Sequence, residues 1–286
     1  MKLAFSSNAY LNHPLDETLA RLAGFGYQGV EVLADVPHAW PAGLLPAQRR
    51  AMRAMIEQSG LAISNINAFM MNAVADPRQP YWHPAWTEPY TPYRAVRREH
   101  TIRALELARD LGAPNITTEP GGPAFPGQSR DEALDIFYEE LMPCVDAAAR
   151  LEVPLLIEPE PDLLIERCDE YLDFIQRIDS PWVGLNFDIG HAYCVGEDPQ
   201  DWIARMAPYT KHYHFEDIAM TRVHKHLIPG RGAIDFAATL QAIAKTGYDG
   251  WITIELYPYI NEPDVAAREA FEYMTALAKR LGLAWS

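Results

Sequence analysis

The chain is poor in cysteine, in basic charge and in long apolar runs, and each shortage excludes something. Cys144, Cys168 and Cys194 are its only cysteines in 286 residues. Odd in number, widely spaced and never arranged as C-x-x-C, they make neither a disulfide frame nor a zinc ribbon. They are expected as reduced thiols of a cytoplasmic protein. Lys and Arg number 24 against 39 Asp and Glu, a formal net charge of −15, which disfavours an exposed polyanion, so no nucleic-acid partner is expected. No run approaches the ~18 apolar residues of a membrane span, so no membrane partner is expected. The opening Met1-Lys-Leu-Ala-Phe-Ser-Ser-Asn8 enters a strand-like pattern without the apolar stretch of a signal peptide.

What is present is a regular alternation. Strand-like runs lie at residues 2–7, 29–34, 62–69, 115–119, 154–159, 183–188, 211–216 and 250–257, with helical periodicity between them. Ser129-Arg-Asp-Glu132 is a capping box, Asp235 caps a helix that stops at Gly247, and Pro263 opens the last one. Pro143 predicts a kink or an early end in its helix. No Ser/Gly linker or charge run breaks the pattern. Residues 1–286 therefore read as a single domain, and eight strand–helix units favour a (β/α)8 TIM barrel over an open doubly wound sheet. The longest irregular stretch, about residues 72–93, holds Tyr81-Trp-His-Pro-Ala-Trp86. It follows the third strand and suits a lid or a binding loop. Its Trp82 and Trp86 fit either the C–H face of a sugar or a subunit contact in a homo-oligomer.

Four of the strand-like runs finish on metal-capable groups: Leu155-Leu-Ile-Glu158-Pro-Glu160, Val183-Gly-Leu-Asn-Phe-Asp188-Ile-Gly-His191, His212-Tyr-His214-Phe-Glu216-Asp217 and Trp251-Ile-Thr-Ile-Glu255. Carboxyl ends of barrel strands are where such folds place chemistry. Adjacent around one rim, Glu158, Asp188, His214 and Glu255 would converge. Three carboxylates at that range repel one another, and a divalent cation resolves the repulsion. Oxygen ligands with one imidazole favour Mn²⁺, with Mg²⁺, Co²⁺ and Zn²⁺ as alternatives.

These motifs, together with His226-Leu-Ile-Pro-Gly-Arg-Gly232, resemble the xylose-isomerase-like TIM-barrel superfamily. That grouping includes sugar isomerases and epimerases, inosose dehydratase and apurinic-site endonucleases. In its ketose 3-epimerase branch, the residues matching Glu158, Asp188, His214 and Glu255 hold one divalent metal. Those matching Glu158 and Glu255 also move the protons. The resemblance thus implies an isomerase or epimerase of a sugar or polyhydroxy ketone, working through an enediolate. His191 would bond a substrate hydroxyl or carbonyl. Arg231 or Arg222 would hold an anionic group, or be a solvated loop charge.

The chain departs from the pattern at Glu160 and Glu119, which stand where relatives carry histidines. Two imidazoles replaced by carboxylates argue against a trinuclear zinc endonuclease. They also leave room for an acid that expels a hydroxyl, so a dehydratase of a sugar-like ketone is the alternative reading. His224 and His226 read as loop anchors or as ligands of a second metal.

Overall fold

The computed structural model describes residues 1–79 and 82–285; Tyr81 of the aromatic loop lies outside the described residues. Eight parallel strands close into a barrel in chain order, with helices between them. The strands are β1 (Lys2–Ser6), β2 (Gly29–Leu33), β3 (Ala62–Asn67), β4 (Ile116–Thr118), β5 (Leu155–Ile157), β6 (Val183–Asp188), β7 (Thr210–Phe215) and β8 (Trp251–Ile254). The helices that cover them are α1 (Leu15–Phe25), α2 (Pro46–Ser59), α3 (Thr91–Leu111), α4 (Arg130–Leu151), α5 (Cys168–Ile175), α6 (Ile189–Cys194), α7 (Pro199–Met206), α8 (Phe236–Thr246) and α9 (Pro263–Arg280). The expected TIM barrel is the observed one, and β1 closes it against β8 by pairing Lys2 with Trp251 and Phe5 with Ile254.

Alternation along the strands sorts the side chains. On β7, Tyr213 and Phe215 point outward to aromatic neighbours, Phe215 meeting Phe236 of α8. His212 and His214 are fully buried on the other face. The barrel interior is unusually polar at this level, with Glu31, Asn65, Thr117, Asn186 and Thr253 all without solvent exposure. Two register shifts set their positions. One falls between Val30 and Glu31 against β3, the other between Leu185 and Asn186 against β7. Such bulges re-aim side chains next to sites. Here they bring Glu31 level with Asn65, and Asp188 level with His214.

Of the kink or early end expected at Pro143, the early end is not found: α4 runs on to Leu151. Phe137 and Leu141 before the proline, and Cys144, Val145 and Ala148 after it, are all buried. Packing on both sides offsets the one hydrogen bond the proline cannot donate. β6 passes directly into α6, with Gly190 in its first turn. The glycine is required by space: a Cβ there would stand 1.7 Å from Glu216 Oε1. The described residues of the aromatic stretch, 68–79 and 82–90, are irregular, and α3 begins at Thr91.

The capping box at α4 is formed as its sequence implies: Glu132 N–H donates to Ser129 Oγ at 3.2 Å and Ser129 N–H to Glu132 Oε2 at 2.8 Å. Ser129→Ala is expected to lower the unfolding free energy by about 1 kcal/mol. Urea denaturation checks this, and an unchanged midpoint would contradict a stabilising box.

Candidate metal and substrate site

Glu158, Asp188, His214 and Glu255 meet at the carboxyl end of the barrel, their ligating atoms all within 4.8 Å of one another. That span suits donors around a single ion, given metal–ligand distances of roughly 2.0–2.2 Å. His214 Nδ1 is the hub: 2.9 Å from Glu158 Oε1, 3.8 Å from Glu255 Oε1 and 3.9 Å from Asp188 Oδ2.

Amides and backbone N–H groups orient the acids. Asn186 Nδ2 donates to Glu158 Oε2 at 2.7 Å, and Asn8 and Asn67 donate to Glu255 Oε1 at 2.9 and 3.1 Å. Asp188 caps α6 by accepting His191 N–H on Oδ1 at 2.7 Å. Its Oδ2 is buried with no hydrogen-bond partner among the described residues. An orphaned carboxylate oxygen aimed into a ring of donors is what a cation-binding site presents. The residues fit a divalent ion.

The far side of the imidazole is held by Glu31, a residue the sequence reading did not single out. Glu31 Oε2 lies 2.6 Å from His214 Nε2, and Asn65 Nδ2 donates to the same oxygen at 2.7 Å. A carboxylate behind a ligating histidine fixes its tautomer and turns the other nitrogen to the metal. Glu31 therefore keeps the proton on Nε2 and leaves Nδ1 to face the three acids. The one clue in the sequence was an acid inside the apolar strand run Gly29-Val-Glu31-Val.

Without a cation, protons balance this ring. Burial opposes charge on His214, but Glu158, Glu31 and Glu255 hold its pKa well above the usual imidazole value. Burial also acts to raise Glu31, yet the charge and hydrogen bond of His214 win and bring it to about 2. Burial raises Glu158, His214 pulls it back, and Asp188 and Glu31 add to the rise, leaving it at about 7. Glu255 is lifted well above the carboxylate range by burial and, against His214, by Glu158, Glu31 and Asp188.

A cavity of about 380 Å³ opens over the ring, lined by Glu255, Asn67, His191, Glu160, His224 and Trp82 among others. Glu158 is fully buried just behind that wall. His191 donates Nδ1–H to the Pro159 carbonyl at 3.0 Å. Burial, then the neighbouring His224 and His226, push its pKa well below the usual value, so it is neutral and turns Nε2 inward. Glu160 stands 3.8 Å from His224, its Oε2 buried and unpartnered among the described residues. Trp82 makes an edge contact with Phe69 on the cavity wall.

Three expected substrate contacts lie elsewhere. Glu119 is buried 2.9 Å from the Arg97 guanidinium, an ion pair that ties the end of β4 to α3. Trp86 is wholly in the core, against Phe137, with Nε1–H donated to Thr118. Arg231 turns outward to Glu269 of α9. His224 and His226 fit both expected readings: His226 Nδ1–H anchors its loop to the Glu255 carbonyl, and its Nε2 is 3.1 Å from that of His224. With His191 the two present nitrogens within 4.8 Å of one another, as ligands of a second metal would.

A family model described as xylose isomerase-like TIM barrel matches residues 19–277. The rhizopine catabolism protein MocC of Rhizobium meliloti is 25% identical over 299 residues, spanning 94% of this chain and 83% of that protein. An inosose dehydratase of Lacticaseibacillus casei is 37% identical over 115 residues, or 35% of this chain and 37% of the dehydratase. Further relatives are sugar epimerases. Among solved structures, a D-tagatose 3-epimerase-like protein superposes with a TM-score of 0.82 at 21% identity, covering 99% of this chain and 98% of its own. At that identity the likeness establishes the fold.

Two outcomes are expected from the ring. Glu31→Gln should weaken Mn²⁺ binding about 10–100-fold with the fold intact; calorimetry beside circular dichroism checks it, and unchanged affinity would refute the tautomer role. Protons on His214 and Glu158 must leave before a cation binds, so affinity should fall as pH drops through about 7. A titration showing pH-independent binding from about pH 6 to pH 8 would contradict the proton-for-metal exchange.

Proposed function

The chain belongs to the xylose isomerase-like TIM-barrel family, and from that premise we propose that it is a metal-dependent isomerase or epimerase of a sugar-like polyhydroxy ketone. The observation that carries the reading is the ring itself: three acids and an imidazole gathered at the base of a cavity, with one acid on its wall and another directly behind. Glu158, Asp188, His214 and Glu255 would hold the cation, with Mn²⁺ favoured by the oxygen-rich donor set. When bound, the ion supplies a Lewis acid that polarises a carbonyl and stabilises negative charge on oxygen.

The remaining chemistry belongs to the chain. Glu255 faces the cavity and is placed to take a proton from the carbon next to the carbonyl. Glu158, on the other side of His214 Nδ1, is the second proton carrier. Burial keeps both carboxylates more basic than free ones, which suits general bases working near neutral pH. His191, neutral and fixed through Pro159, offers Nε2 to a substrate hydroxyl. Proton return to the neighbouring carbon isomerises, and return to the opposite face epimerises. The substrate is a small molecule, for the acidic wall offers a polyanion nothing. Among the described residues no helix is long and apolar enough to cross a membrane.

One observation favours a second reading. Glu160 adds a carboxyl group to the cavity wall, with a buried unpartnered oxygen. As an acid it could protonate a departing hydroxyl, which would make the reaction a dehydration, and an inosose dehydratase is among the relatives. Release of an enone, seen as new ultraviolet absorbance on incubation with inososes or ketoses, selects the dehydratase; a changed sugar without absorbance selects the isomerase.

Glu158→Gln and Glu255→Gln are each expected to cut turnover at least about 100-fold. Wash-in of solvent deuterium at the carbon beside the carbonyl, followed by NMR, is the direct readout. Exchange at the wild-type rate in both variants would defeat the proposed roles.

A further inference from the structure

TIM barrels commonly hold a substrate phosphate at the loops after their last strands, on backbone N–H groups and helix N-termini. In this chain the donors of the loop after β7 are already taken by its own carboxylate. Asp217, buried just after β7, accepts four backbone N–H groups: Ile218 at 2.9 Å, Gly230 at 3.0 Å, Gly232 at 2.7 Å and Ile234 at 3.1 Å. The carboxylate fits this nest so closely that a Cβ on Gly232 would stand 2.3 Å from Asp217 Oδ1. Across the mouth, Asp35 fills a second nest, accepting Met71, Asn72 and Ala73 N–H at 2.8, 2.6 and 2.9 Å. The N-termini of α6 and α8 are capped by Asp188 and Asp235.

Side chains supply no replacement. Among the described residues, the cavity lining has no Lys or Arg, and its charged members are Glu160, Asp162 and Glu255. Arg231, the cation nearest by sequence to the Asp217 nest, is committed to Glu269. The lining also carries the apolar or aromatic side chains of Leu11, Phe69, Met71, Trp82, Tyr257 and Ile260, and its most exposed members are the uncharged Asn72 and the acidic Asp162. A phosphate dianion entering here would lose water and meet, among the described residues of the lining, no Lys or Arg but the carboxyl groups of Glu160, Asp162 and Glu255.

We propose that the cavity takes an unphosphorylated polyhydroxy ketone whose outward end is uncharged and partly apolar, and that it rejects phosphate esters. The inference rests on the reading of the site as one for sugar-like ketones, yet it is tested separately from the reaction. Calorimetry on the Mn²⁺-loaded protein would compare D-fructose and D-tagatose with their 6-phosphates, with scyllo-inosose as a cyclic probe. At least one free ketone is expected to bind, and the esters at least ~30-fold more weakly than their parents. Ester binding equal to or tighter than the parent overturns the inference, as does a failure of every unphosphorylated probe to bind.

Met71→Arg places a guanidinium on the wall and is expected to narrow the gap between ester and parent by about tenfold. No narrowing would overturn its electrostatic basis. Solvent-deuterium exchange on the same ligands keeps the two proposals apart. Preferential binding of free ketones without exchange removes the isomerase and leaves the substrate class standing. Exchange on an ester removes the substrate class and leaves the isomerase.

Discussion

Three carboxyl groups and an imidazole are forced together at one end of a barrel, out of water, and their charge must be balanced. Everything nearby serves that requirement. Asn8, Asn67 and Asn186 give N–H groups to the acids, and Glu31 accepts a hydrogen bond from His214 Nε2–H. In the absence of a cation the balance is kept by protons, with His214 charged between Glu31 and Glu158, and with Glu158 and Glu255 held above the ordinary carboxylate range. A divalent ion would do the same work with one particle at the centre. The energetic logic is that of any buried cluster of like charges: neutralise, or pair.

The barrel contributes position rather than chemistry. Its closure puts the ends of β5 to β8 side by side, and its two register shifts turn Glu31 and His214 toward each other from opposite sides of the interior. The loops then decide what reaches the ring. Asp35 and Asp217 tie down the loops after β3 and β7 by filling their backbone nests. The same bonds that order these two loops also occupy backbone donors that an anion would need. Loop rigidity and substrate charge are in this way one property of the chain.

The strand order and the four-residue ring were legible in the sequence because both follow from period. A strand run that ends on an acid at the functional face has little freedom about where that acid points. Glu31 was not legible because it lies within a run, not at its end, and only the shift beside Val30 aims it at His214. Glu119, Trp86 and Arg231 failed for a related reason. Sequence places them on the correct face of the barrel but says nothing of the partners that capture them: Arg97, Phe137 and Glu269. Trp86 and Arg231 lie on loops, and Glu119, though at a strand end, is drawn aside by Arg97 of α3, so a place on the rim did not by itself fix a side chain's partner.

The central claim is that this ring is a single-cation site entered through His214 Nδ1. Crystals soaked in Mn²⁺ and measured for anomalous scattering test it most directly. The account predicts one strong peak coordinated by Glu158, Asp188, Glu255 and Nδ1 of His214, with Nε2 still on Glu31. No peak among these four residues, or an ion bound through Nε2, would contradict it.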